Sequence, residues 1–171
     1  MRSRLLLFVR CALSLLFAGA LVGCDHATKS LAQRELQEGR IIELISGVLD
    51  LRYTENHDTA FSLLRDVSIP HKATVLSVVA SVVLLGTLAS WWRRRHAAAS
   101  EGLGYALVAA GAVGNIADRF ARGFVVDFIH LKHWPVFNVA DILIVGGILL
   151  LALHAILGRG PNANQSAPHP S

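Results

Sequence analysis

The sequence predicts a membrane protein of the all-α class, with four spanning helices and a small β-sheet on one side of the bilayer. Three observations lead there. Hydrophobic residues make up 53% of the 171 and charged residues only 16%, against about 25% in a soluble domain. Apolar runs close to the roughly 20 residues needed to cross a bilayer recur along the chain. Basic residues flank those runs, as in Trp91-Trp92-Arg93-Arg94-Arg95, where aromatics mark an interface and arginines lie beyond it. The formal charge of +4 therefore reads as a membrane border and not as a nucleic-acid surface. Cys11 and Cys24 both fall in the first apolar run and support neither a disulfide framework nor a zinc site.

The first span is expected over about residues 5–24, with Arg10 snorkelling to the near interface. The second covers about 73–92. The third, about 102–117, is rich in Gly and Ala, which lets neighbouring helices approach closely. The fourth covers about 136–157, with Pro135 standing before it as a helix start. Arg2 and Arg4, Arg93 to Arg95, and Arg159 then fall on one side, which puts both termini in the cytoplasm. Between the first two spans, the loop over about 30–72 begins with helix-like sequence (Leu31 to Gln37). It continues as ELISGVLDLRYTEN, two apolar runs around Ser46-Gly47 that read as a hairpin or small sheet. Residues 1–160 form one domain, and the tail over 161–171, rich in Pro, Asn and Ser, is expected to be disordered.

Ionisable residues in or beside a span are costly and mark function by default. Here Asp25, Asn115, Asp118, Arg119, Asp127, Asn138 and Asp141 all fall toward the non-cytoplasmic ends of the expected spans. Asn138 and Asp141 are three apart and share a helix face, and Asn115 and Asp118 repeat that spacing. Asp127 sits in an apolar run too short to span, which reads as a re-entrant or interfacial segment. Two carboxylates brought close in a dry site cannot both ionise cheaply, so one keeps a proton and the other acts as base. Such a pair activates water against an amide and protonates the leaving nitrogen. The bland alternatives are an ion pair or helix end at Asp118-Arg119, an interfacial Asp25, and interhelical hydrogen bonds from Asn115 and Asn138. For Asp141 the alternative is a charge favoured by the helix dipole. The histidines are scattered, and no metal-ligand spacing is present.

These residues fall in short motifs. DHATK (Asp25 to Lys29), GNIADR (Gly114 to Arg119), VVDF around Asp127, and FNVAD (Phe137 to Asp141) occur in that order on the expected spans. In this the chain resembles the signal peptidase II (lipoprotein signal peptidase) family over about residues 20–150. The resemblance implies an aspartyl endopeptidase of the bacterial inner membrane with its site at the periplasmic face. Its substrate would be a prolipoprotein whose cysteine already carries diacylglycerol, cut on the amino side of that cysteine. Asp127 and Asp141 fall on the catalytic positions. Asn56, Asn115, Arg119 and Asn138 fall on orienting positions, with Asp25, Lys29, Asp118 and Ala140 as support. No metal, cofactor or nucleic acid is implied. Membrane lipid and globomycin-type inhibitors are the other expected partners, and a monomer is expected.

Two departures stand out. NHDTAF places Asp58 where the family usually carries glycine, and the link between Asp127 and Asp141 is short. Leu21-Val22-Gly23-Cys24 itself looks like a lipobox. Cleavage there would delete the first span, and Arg10 interrupts what should be an uncharged leader, so the match reads as coincidence. Two other classes compete. A proton-coupled transporter suits intramembrane carboxylates, but there is no duplicated half or broken-helix pair. An envelope scaffold would make no use of the acids.

Overall fold

The structure, a computed structural model, is described for residues 2–57, 72–94 and 98–157. Asp58 and the tail from 158 lie outside the described residues. Helix α1 is Arg2–Leu36; strands β1 (Ile41–Ile45) and β2 (Leu49–Asn56) follow. Helices α2 (Lys72–Arg93) and α3 (Ala99–Arg122) precede strand β3 (Val125–Leu131) and helix α4 (Val139–Leu157). The fold is thus mostly helical with one small sheet, in the antiparallel order β1-β2-β3.

Among the described residues, three helical stretches are long and apolar enough to cross a membrane: Cys11–Gly39, Thr74–Arg93 and Val139–Leu157. Their outward faces carry exposed Leu13, Leu16, Val82, Leu85, Leu149 and Ile156, the surface of a helix meant for lipid. The expected third span differs. Helix α3 packs against α1, α2 and α4, and its lower hydropathy follows from that central place. Its buried residues are mainly Gly and Ala, with Glu101, Asn115 and Asp118 among them. A Cβ at Gly111 would strike the Ala140 carbonyl oxygen and Ile144, and one at Gly104 would strike Leu151. Gly111→Val is expected to push α4 away and cost about 1–3 kcal/mol, read as a lower thermal unfolding midpoint in detergent.

Helix boundaries depart from the apolar runs. Helix α1 passes the apolar end at residue 24 and runs to Leu36. Its extension buries Asp25 and Lys29 against the other helices, while Ala32 and Leu36 form a core with Phe128. Helix α3 ends at Arg122, where Gly123 takes φ 81° and donates its N–H to the Arg119 carbonyl, a left-handed cap that favours glycine. Helix α4 starts at Val139, not at 136. Pro135 is not its first residue, because Phe137 pairs with Ile129 before the helix begins.

The lipobox-like bond Gly23–Cys24 lies deep inside α1. Cys24 is exposed, its carbonyl accepts the Thr28 hydroxyl, and the next residue, Asp25, is fully buried. This bond is not presented as an extended peptide, and cutting it would dismantle the bundle.

The segment holding Asp127 is not re-entrant. It is the third strand, paired with β2 from Leu49↔Leu131 to Asn56↔Val125. A register shift between Leu51 and Thr54 places Thr54 opposite Asp127, and such bulges re-aim side chains beside active sites. The chain then turns through residues 132–136. The Phe128 and Ile129 N–H groups both donate to the Phe137 carbonyl, and Phe137 donates back to Ile129 at 2.9 Å. The short link is therefore a closed loop that returns the chain to its own strand and starts α4 beside Asp127.

Candidate active site

Lys29 anchors the polar core. Its ammonium has three protons and three partners: Asp25 Oδ2 at 2.8 Å, Asp118 Oδ2 at 3.0 Å and Asn115 Oδ1 at 3.0 Å. All four side chains are buried. The other Asp25 oxygen accepts the Ala140 N–H at 2.9 Å, so α1 caps the first turn of α4. This contact is close because residue 114 is glycine: a Cβ there would lie 2.5 Å from Asp25 Oδ2. Asp118 also accepts the Val126 N–H at 3.3 Å, which ties α3 to β3. An ion pair does hold Asp118, and its partner is Lys29. Adjacent helical residues point about 100° apart, so Asp118 faces Lys29 while Arg119 borders a cavity.

Above this base stand the two other aspartates. Asn138 and Asp141 cap α4 reciprocally. The Asp141 N–H donates to Asn138 Oδ1 at 3.0 Å, and the Asn138 N–H donates to Asp141 Oδ2 at 3.3 Å, a capping box with Asp in place of Glu. Asn138 Nδ2 donates to Asp127 Oδ1 at 2.6 Å and to Asn115 Oδ1 at 3.1 Å. Asn115 Nδ2 donates to Asp141 Oδ1 at 2.9 Å, and Asn56 Nδ2 donates to Asp127 Oδ2 at 2.7 Å. Each carboxylate oxygen thus receives one N–H and keeps a lone pair for something else. Asn138 is wholly buried, with both its amide protons and its oxygen engaged. Its two amide protons and its oxygen bind Asp127, Asn115 and Asp141, so it ties the two acids together.

Asp127 and Asp141 border one cavity of about 250 Å³. Asn56, Asn115 and Arg119 share that border. The opposite wall is Leu76, Val79, Ala80 and Val83 of α2. That wall was not singled out from the sequence, although its i, i+3, i+4, i+7 spacing was the available signal. Burial, then the neighbouring charge of Asp141, push the Asp127 carboxyl up to about 7. Among the described residues, no group of three His, Cys, Asp or Glu side chains is placed to hold a metal ion. The arrangement provides two buried carboxyl groups bordering one largely apolar recess, with amides fixing both.

A family model described as signal peptidase (SPase) II matches residues 17–157. The chain belongs to the signal peptidase II family. Its relatives include the lipoprotein signal peptidase of Rhodococcus jostii (strain RHA1), 38% identical over 170 residues, which covers 95% of this chain and 78% of that protein. The lipoprotein signal peptidase of Syntrophomonas wolfei subsp. wolfei is 43% identical over 122 residues, covering 71% and 78%. A bacterial membrane enzyme solved by the in meso method at 2.3 Å superposes with a TM-score of 0.78 at 25% identity, covering 92% of this chain and 95% of that one. Three short motifs of the sequence converge at this site. DHATK supplies Asp25 and Lys29, GNIADR supplies Asn115, Asp118 and Arg119, and FNVAD supplies Asn138 and Asp141.

Proposed function

We propose that this member of the signal peptidase II family is an intramembrane aspartyl endopeptidase acting on diacylglyceryl-modified prolipoproteins. It removes the signal peptide by cutting on the amino side of the lipidated cysteine, with Asp127 and Asp141 as the catalytic pair. One observation carries the assignment. Two buried aspartates from different elements border the same cavity, and three side-chain amide N–H groups and one backbone N–H hold their four oxygens.

The pair holds one proton. The ionised carboxylate takes a proton from water as the water oxygen attacks the scissile carbonyl. The protonated partner then gives its proton to the leaving nitrogen. Arg119 and Asn56 border the cavity on the substrate side and orient the peptide backbone. The apolar α2 wall keeps competing water out. Helix α3 is the fourth span, at the centre of the bundle. Both termini are cytoplasmic and the sheet and acids face the periplasm, in keeping with the arginine pattern. The protein acts as a monomer embedded in inner-membrane lipid, and globomycin-type peptides occupy the same cavity.

Mass analysis of a synthetic lipid-modified precursor, incubated with the protein in liposomes, tests this. The expected products are a free signal peptide and a chain beginning at the lipidated cysteine. An intact precursor, or a cut elsewhere, contradicts the proposal.

The rate should depend on pH in a defined direction. As pH rises through about 7, Asp127 loses its proton and the leaving nitrogen loses its acid, so kcat/KM falls. Stability moves the same way. The Asp127 pKa is raised above its ordinary 3.8, so the stability it contributes is full below that value and is lost as pH rises through about 7. Asp127→Asn is expected to flatten this part of a melting-temperature profile against pH.

A further inference from the structure

A second recess opens on the outer side of α4, with a volume of about 470 Å³. Trp134 and Phe137, from the return after β3, form its upper end; Ile142, Val145, Gly146 and Leu149 form its length. From Ile142 to Leu149 the groove follows α4 for about 10 Å. Among the described residues its only charged lining residue is Asp141, which also borders the central cavity. The two recesses therefore share one lining residue.

From this geometry we infer that the groove seats one acyl chain of the lipid-modified cysteine, next to the bond being cut. The inference rests on the peptidase reading above. A peptide backbone is a poor occupant, because its amide groups would find almost no partners among these side chains. A hydrocarbon chain has none to satisfy. The groove begins beside Asp141 and follows an apolar spanning helix, the course a chain must take if its head is at the site and its tail in the bilayer. Its floor is open at Gly146, where nothing stands within 4 Å of the position a Cβ would take.

Leaving lipid for this groove gains little free energy, since lipid tails are as apolar as the lining. The contribution is positional. A chain fixed along α4 fixes the glyceryl-cysteine to which it is joined, and so the scissile carbonyl against the acids.

The test uses the full chain in liposomes with two synthetic precursors, identical except that the glyceryl-cysteine carries palmitoyl or acetyl chains. Gly146→Leu places a side chain in the groove, starting from a Cβ that meets nothing within 4 Å. It is expected to lower kcat/KM for the dipalmitoyl precursor by about tenfold and to leave the diacetyl precursor unchanged. Gly86→Leu also points into open space, on α2 and away from the groove, and should change neither. An equal loss on both precursors, no loss on either, or a matching loss in Gly86→Leu overturns the inference. If the wild-type protein cuts neither precursor, the peptidase reading itself has failed.

Discussion

Asp127→Asn and Asp141→Asn are each expected to reduce turnover of a lipid-modified precursor by about a thousandfold or more. The two losses should not add, because either change removes the same shared proton and the same water. Neither substitution should empty the site. Both carboxylates accept one N–H at each oxygen. An asparagine in either place keeps one of those bonds and turns the other into a clash of donors. That costs about 1–3 kcal/mol, small enough for the protein to insert and fold. Cleavage by the two variants, with their unfolding midpoints measured in the same detergent, separates catalysis from folding. A transporter or scaffold would lose no peptide product, since it would make none. A variant that keeps even a tenth of the activity would remove that aspartate from the chemistry.

Lys29→Met is expected to have the largest effect on stability. Lys29 is fully buried and holds two buried carboxylates together. Removing one partner of such a cluster leaves uncompensated charge and costs about 3–5 kcal/mol. The damage should spread to the site, because Asp25 caps α4 through Ala140 and Lys29 holds the oxygen of Asn115. Neutralising the stranded charges in Lys29→Met/Asp25→Asn/Asp118→Asn should recover part of the loss, since a neutral cluster is cheaper to bury than an unpaired ionic one. Thermal unfolding of the single and triple variants decides this. An unfolding midpoint for Lys29→Met equal to wild type would mean that the cluster does not hold the bundle.

Much of the site was legible in the sequence, and the reason is local. Asn138 and Asp141 cap a helix from within one turn, and Asp25 and Lys29 are an i, i+4 pair on α1. Such spacings survive in a linear reading. What was not legible depends on pairing across the fold. VVDF carries no alternation, because Val125, Val126, Asp127 and Phe128 are all buried. The run reads as a re-entrant or interfacial segment, because its pairing with β2 is not written in its own residues. Hydropathy ended the first helix at residue 24, but tertiary burial carries it to Leu36 over the sheet. The Gly and Ala content of α3 announced close helix approach; which helices close on it was not legible, since that is set by what stands opposite Gly104, Gly111 and Gly114. The partner that holds Asp118, Lys29 of α1, was not legible because the two are far apart in the chain.

Infrared difference spectroscopy of the protein in lipid, titrated across pH, tests the shared proton most directly. A carboxylic acid C=O stretch should be present below pH 7, bleach with a midpoint near about 7, and be missing from Asp127→Asn. Glu101→Gln, at a buried acid near the start of α3, should leave the band in place. A spectrum in which residue 127 is already ionised in mildly acidic buffer, or a band that survives Asp127→Asn, would contradict the account.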